Sequence, residues 1–175
     1  MKTVVTSLFV AFAVMLHADT MEKVSESSQE KTVEWYQAAA EEGVAEAQYY
    51  LGVMYTKGNY VEKNIDMAVY WYKKAALQGV KEAQLNLGYM YETGNGVKQD
   101  YGEAIQWYER AAQQGDTAAM NNLGIIYMMG KGVSESRANR KKAYDYFRVA
   151  AKNGSDAAWD NIEKLRKLDP KAFQD

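Results

Sequence analysis

The sequence predicts an all-α fold, a right-handed α/α solenoid of about eight antiparallel helices, and three observations carry that prediction. The string LGVMYTKGNYV at Leu51–Val61 returns as LGYMYETGNGV at Leu87–Val97 and as LGIIYMMGKGV at Leu123–Val133, a period of 36 residues. Each period holds two runs with apolar residues at helical spacing. Glycines stand between the runs and after them, where the chain must turn. A period in the thirties with two helices per unit marks a stacked array, in which each unit buries its apolar face only against a neighbour.

The totals agree with one globular domain. The chain has 175 residues, 47% of them hydrophobic and 25% charged, which separates it from disordered sequences. Net charge is −2 with both signs mixed and no basic block, so nucleic acid is not an expected partner.

Residues 1–18 read as a secretory signal peptide: Lys2, an uncharged apolar run from Val4 to Leu16, then the small Ala18, after which cleavage is expected. That run is too short to cross a bilayer, which needs about 20 residues. No later segment is apolar enough, so the mature protein is expected to be exported, periplasmic or secreted, with no membrane span. The chain contains no cysteine, so packing rather than disulfides must hold it together, and an anchor on an N-terminal cysteine is excluded.

Residues 19–28 read as a flexible leader. Ser27 to Glu30 has capping-box spacing just ahead of Val33, Trp35 and Tyr36 and opens an N-terminal half repeat, 29–44. Repeat 1, 45–80, places Ala47, Tyr50, Leu51, Met54 and Tyr55 on one face of its first helix, and Ala68, Trp71, Tyr72, Ala75 and Ala76 on one face of its second. Repeat 2 is 81–116. Repeat 3, 117–155, carries three extra residues between Val133 and Ala143. Gly58, Gly94, Gly96, Gly130 and Gly132 punctuate the links, and Gly79, Gly115 and Gly154 end the second helices. Tyr60 replaces the second loop glycine of the later copies, so the first loop is expected to differ locally. Residues 156–169 form a terminal capping helix in which Glu163 and Arg166 replace the repeat's Gly and Tyr as a solubilising end. Residues 170–175 are a tail.

The repeated core is expected to comprise Leu51, Gly52, Tyr55, Trp71 and Tyr72, then Leu87, Gly88, Tyr91, Trp107 and Tyr108, then Leu123, Gly124, Tyr127, Tyr146 and Phe147. Gly52, Gly88 and Gly124 lie inside helices, at a cost of about 1 kcal/mol each relative to alanine. Close approach of a neighbouring helix is the expected compensation, with Trp71 and Trp107 filling space nearby.

The units resemble the Sel-1-like repeat family, whose pattern is close to A-x-A-Q-Y-x-L-G-x-M-Y-x-x-G-x-G-V followed by A-x-x-W-Y-x-K-A-A-x-x-G. The resemblance runs from about Thr32 to Trp159. It implies a tetratricopeptide-like solenoid whose first helices line the concave surface, and an adaptor that binds protein or peptide there. Cysteine-rich exported members of the family are described as weak β-lactamases or penicillin binders, with paired cysteines bridging the helices of each unit. The corresponding positions here are Ala76 with Gln84 and Ala112 with Met120, so that hallmark is missing.

The only histidine, His17, falls in the signal segment, and the mature chain would contain neither His nor Cys. That excludes Ser-His-Asp triads, cysteine nucleophiles and nearly all zinc or copper sites, so no catalytic residue, metal or cofactor is expected. Ser28 to Lys31 fits S-x-x-K but lacks the companion S-D-N and K-T-G motifs. Asn153-Gly154-Ser155 matches a glycosylation sequon that overlaps a helix stop. The candidate partner-binding residues lie on the first-helix arc opposite the core: Tyr49, Val53 and Thr56, then Leu85, Tyr89 and Glu92, then Asn121, Ile125 and Met128. A solvated arc would be charged, and a largely apolar one marks either an interaction surface or packing against adjacent first helices; both stay open for Tyr49 and Leu85, while the Tyr89 hydroxyl, which needs a polar setting, points to binding. The expected partner is a protein or extended peptide held by a monomer. β-Lactam binding or hydrolysis, and cell-wall glycan binding, are the alternatives.

Overall fold

Eight helices in antiparallel succession make up residues 26–133 and 136–170, the part of the chain described by the computed structural model. They are α1 (Glu26–Glu41), α2 (Ala45–Lys57), α3 (Ile65–Leu77), α4 (Lys81–Thr93), α5 (Tyr101–Gln113), α6 (Thr117–Met129), α7 (Arg137–Lys152) and α8 (Asp156–Leu168). Each packs chiefly on its neighbours in sequence, and α6 also touches α8. This is the α/α solenoid that the period predicts. The expected signal peptide, and the leader up to residue 25, lie outside the described residues, as do the tail beyond Pro170 and the side chain of Ser28. Because α1 already includes Glu26, Ser27 stands within the helix. A capping residue must precede the first helical turn with extended backbone, so the capping-box reading does not hold.

The second helices start alike. Asn64 accepts from the Met67 amide, Asp100 from those of Gly102 and Glu103, and Ser136 from that of Asn139, each satisfying donors of a first turn. The caps are themselves tied back, because the Asn64 and Asp100 amides donate to the Tyr55 and Tyr91 carbonyls. The three extra residues of the third copy fall inside its second helix. Helix α7 has 16 residues against 13 in α3 and α5, a lengthening of roughly 4.5 Å at the helical rise.

The first loop does not change shape as expected. Tyr60 takes φ +65°, close to the +73° of Gly96 and +68° of Gly132. The turn therefore forces a side chain into the left-handed region, at a cost of about 1–2 kcal/mol. Space decides why only the first copy permits this. A Cβ on Gly96 would lie 2.5 Å from Ile65 Cγ2, and the Cβ of Gly132 would press on Cβ of Tyr101, whereas Tyr60 packs onto the N-terminal cluster around Val33 and Tyr36.

The helix glycines do mark close approach, but Trp71 and Trp107 are not the groups they admit. A Cβ on Gly52 would meet the Tyr72 ring at 2.5 Å, on Gly88 the Tyr108 ring at 2.6 Å, and on Gly124 the Phe147 ring, so each glycine receives the aromatic of its own pair. Leu51, Leu87, Leu123, Tyr108 and Phe147 are fully buried, with Trp71, Tyr72, Trp107 and Tyr127 nearly so. Tyr55, Tyr91 and Tyr146 are half-buried rather than core. Tyr55 and Tyr91 each touch two successive core clusters and so sit where those clusters meet.

The two tryptophans differ in one respect. Trp107 Nε1 donates to Glu103 Oε2 at 3.2 Å, while buried Trp71 Nε1 has no acceptor among the described residues, because Met67 occupies the position of Glu103. Met67→Glu is expected to raise stability by about 1 kcal/mol by supplying that acceptor. Urea unfolding checks this, and a fall in midpoint would refute it.

Candidate partner-binding site

Of the nine residues on the first-helix arc, Tyr89 alone is exposed, at 55%, and the other eight are half-buried. Tyr49 and Val53 pack against the cluster built by α3, α4 and Trp107 of α5, and the Tyr49 ring lies 6.0 Å from that of Tyr72. Burial first, then the neighbouring Tyr72, Glu82 and Tyr50, push the Tyr49 hydroxyl up to about 12. Leu85, Ile125 and Met128 pack on the C-terminal cluster. The arc is thus a largely apolar, half-buried stripe packed on these clusters, from which Tyr89 stands out. Met129, one turn on from Ile125, is exposed on the same side.

A polar row runs beneath it. The Tyr72 hydroxyl shares a hydrogen bond of 3.2 Å with Thr56 and another with Asn86 of the next unit. One unit on, the Tyr108 hydroxyl donates to Glu92 Oε2 at 2.9 Å and is bonded by Asn122. Burial raises the Tyr108 hydroxyl above the ordinary tyrosine range, and the Glu92 carboxylate raises it further. Lys131 Nζ stands 3.8 Å from the other oxygen of Glu92. In the third unit the aromatic is Phe147, the residue at the Thr56 and Glu92 position is Met128, and Asn161 Nδ2 donates instead to Asn121 Oδ1 at 2.9 Å. The identity of each first-helix residue follows the tyrosine or phenylalanine opposite it. Asn86, Asn122 and Asn161 were not singled out from the sequence, although their shared repeat position is a signal that could have found them.

A second row ties successive units together. Gln48 Nε2 donates to the Ala40 carbonyl at 3.0 Å and Gln84 Nε2 to that of Ala76 at 3.1 Å, both buried. Gln78 and Gln114, one unit further, donate to Gln48 Oε1 at 2.7 Å and to Gln84 Oε1 at 2.9 Å. One position that the family resemblance assigns to a disulfide, Ala76 with Gln84, is therefore bridged by a hydrogen bond.

The repeating rows stay in register with the sequence period, and the profile of the Sel1 repeat matches residues 22–44, 45–80, 81–116 and 117–155. The chain belongs to the Sel1 repeat family. Among solved structures it is similar to c5321, a protective antigen present in uropathogenic Escherichia coli strains displaying an SLR fold, with 36% identity and a TM-score of 0.75. That match covers 80% of this chain and 29% of the other. It is similar to a Sel1 repeat protein from Oxalobacter formigenes at 38% identity and TM-score 0.72, over 80% of this chain and 56% of that one. The chain therefore spans less than two thirds of either relative. Cysteine rich protein B of Helicobacter pylori matches at 26% identity and TM-score 0.58, over 78% of this chain and 96% of that one. No curated protein matches the chain significantly.

Sel1 repeats are helical scaffolds that generally bind proteins, and two features of this array fit that role: the apolar arc and the hydroxyl–carboxamide row beside it. Among the described residues there is no cluster of three or more His, Asp or Glu side chains that could hold a metal, and no helix is long and apolar enough to cross a membrane.

Proposed function

We propose that this Sel1-repeat protein is an exported adaptor that holds a protein or extended peptide along its concave, first-helix face. The observation that carries the reading is Tyr89, a large aromatic 55% exposed on an otherwise half-buried apolar arc. An amphipathic ring in that position offers contact area at low entropic cost and a hydroxyl for orientation. Asn86, one turn before it, and Asn122 on the next first helix add carboxamides, which both donate and accept and so match a peptide backbone. Export rests on the pattern of Lys2, Val4–Leu16 and Ala18.

Peptides selected from a displayed random library on the immobilised protein test the reading. Their affinity for a Tyr89→Ser variant of unchanged helicity is expected to fall roughly tenfold or more, since buried aromatic anchors dominate such contacts. Selected peptides that bind parent and variant equally would remove the concave-face assignment.

A further inference from the structure

A cleft of about 360 Å³ opens on the second-helix layer, away from the first-helix arc, lined by Glu109, Ala112 and Gln113 of α5, Met120 of α6, and Tyr146 and Val149 of α7. It lies where the third unit departs from the other two. The Gln48 and Gln84 position becomes Met120, and the Gln78 and Gln114 position becomes Asn153, so the amide bridge that ties the earlier units is not repeated. The tryptophan position becomes Tyr146. In the earlier units a cation three residues further on rests on that tryptophan: Lys74 Nζ lies 5.2 Å from the Trp71 ring, and Arg110 Cζ 4.4 Å from the Trp107 ring. The third unit has Val149 there, and among the described residues no lysine or arginine lies over the Tyr146 ring.

The charge on the facing helix changes as well. Glu109 stands where the preceding unit has Lys73. After burial, its carboxylate is the group that raises the hydroxyls of Tyr127 and Tyr146 above the ordinary tyrosine range; their rings stack 5.9 Å apart, and Glu109 is in no ion pair among the described residues. A carboxylate has about four acceptor positions, so even with both hydroxyls beside it Glu109 can take a further donor. An aromatic face, a thioether, a valine that is 41% exposed and a carboxylate outside any ion pair thus converge on one opening.

We infer that this cleft receives an arginine side chain of a partner polypeptide, with its stem on Met120 and Val149, its guanidinium on the Tyr146 ring, and a hydrogen bond to Glu109. The partner thereby supplies the cation that Lys74 and Arg110 supply within the first two units. Guanidinium is favoured over ammonium because it is planar, stacks on aromatic faces and donates from an edge toward a carboxylate.

Methyl spectra of the full-length protein carrying ¹³C-methyl methionine test this by titration with Nα-acetyl-arginine methylamide, the Met120 signal being assigned with Met120→Leu. The expected result is a saturable shift of Met120 in the millimolar range, weakened roughly fivefold in Glu109→Gln, which keeps an acceptor for the tyrosines but removes the charge. Val149→Arg restores an internal cation and is expected to abolish the shift. Absence of a Met120 response in the folded parent, equal binding by Glu109→Gln or by Val149→Arg, or an equal response to the norleucine derivative would each overturn the inference. Equal binding of the lysine derivative would overturn the assignment to arginine.

Discussion

Gly88→Leu is expected to destabilise the protein by about 3 kcal/mol through overpacking, which in a chain of this size lowers Tm by roughly 6–12 °C. Replacing a helical glycine would by itself raise helix propensity by up to about 1 kcal/mol, so the sign of the result separates packing from propensity. Packing should dominate because even a Cβ at Gly88 would stand 2.6 Å from Cδ1 and 2.7 Å from Cε1 of Tyr108. The ring has nowhere to go. Tyr108 is fully buried, and its hydroxyl is fixed at the far end by Glu92. Gly88→Ala should show the same sign with a smaller fall, because one carbon needs only part of the displacement. Thermal unfolding followed by circular dichroism measures both, and an unchanged Tm for Gly88→Leu would show that the α4–α5 contact yields without cost.

The same contact shows how far the sequence could be read. A glycine recurring inside a helix at a fixed period announces close approach, and that was legible. Which aromatic approaches was not, because Trp71 and Tyr72 are consecutive and share the period. They point about 100° apart on the helix, and only the inter-helix geometry shows that the tyrosine faces Gly52. Tyr60 misled for a related reason. A residue change suggests a backbone change, yet the turn is fixed by the tie from the Asn64 amide to the Tyr55 carbonyl, so the side chain yields and the φ does not. The cleft beside Glu109 was least legible. Its distinguishing residues, Glu109, Met120, Tyr146 and Val149, are spread over three helices, and each alone looks like ordinary drift within a repeat.

The polar row beneath the arc yields the other large effect, as a coupling rather than a single loss. Tyr108→Phe is expected to cost about 2 kcal/mol, since it strips a hydrogen bond from a carboxylate whose side chain is only 18% exposed. Glu92→Met alone should cost about 1–2 kcal/mol, because the buried Tyr108 hydroxyl then keeps Asn122 as its remaining partner. The double variant copies the third unit, where Met128 and the fully buried Phe147 occupy the same two places. It should therefore recover most of the loss, a coupling of about 1–2 kcal/mol in urea unfolding. Lys131 adds little to the balance, being partly exposed at 3.8 Å. Additive losses would mean that the pair is not a unit of packing, and that Glu92 is held on the arc for a ligand. Strong coupling, with peptide affinity unchanged in the double variant, would take Glu92 off the binding surface and leave Tyr89 with its neighbouring carboxamides to carry recognition.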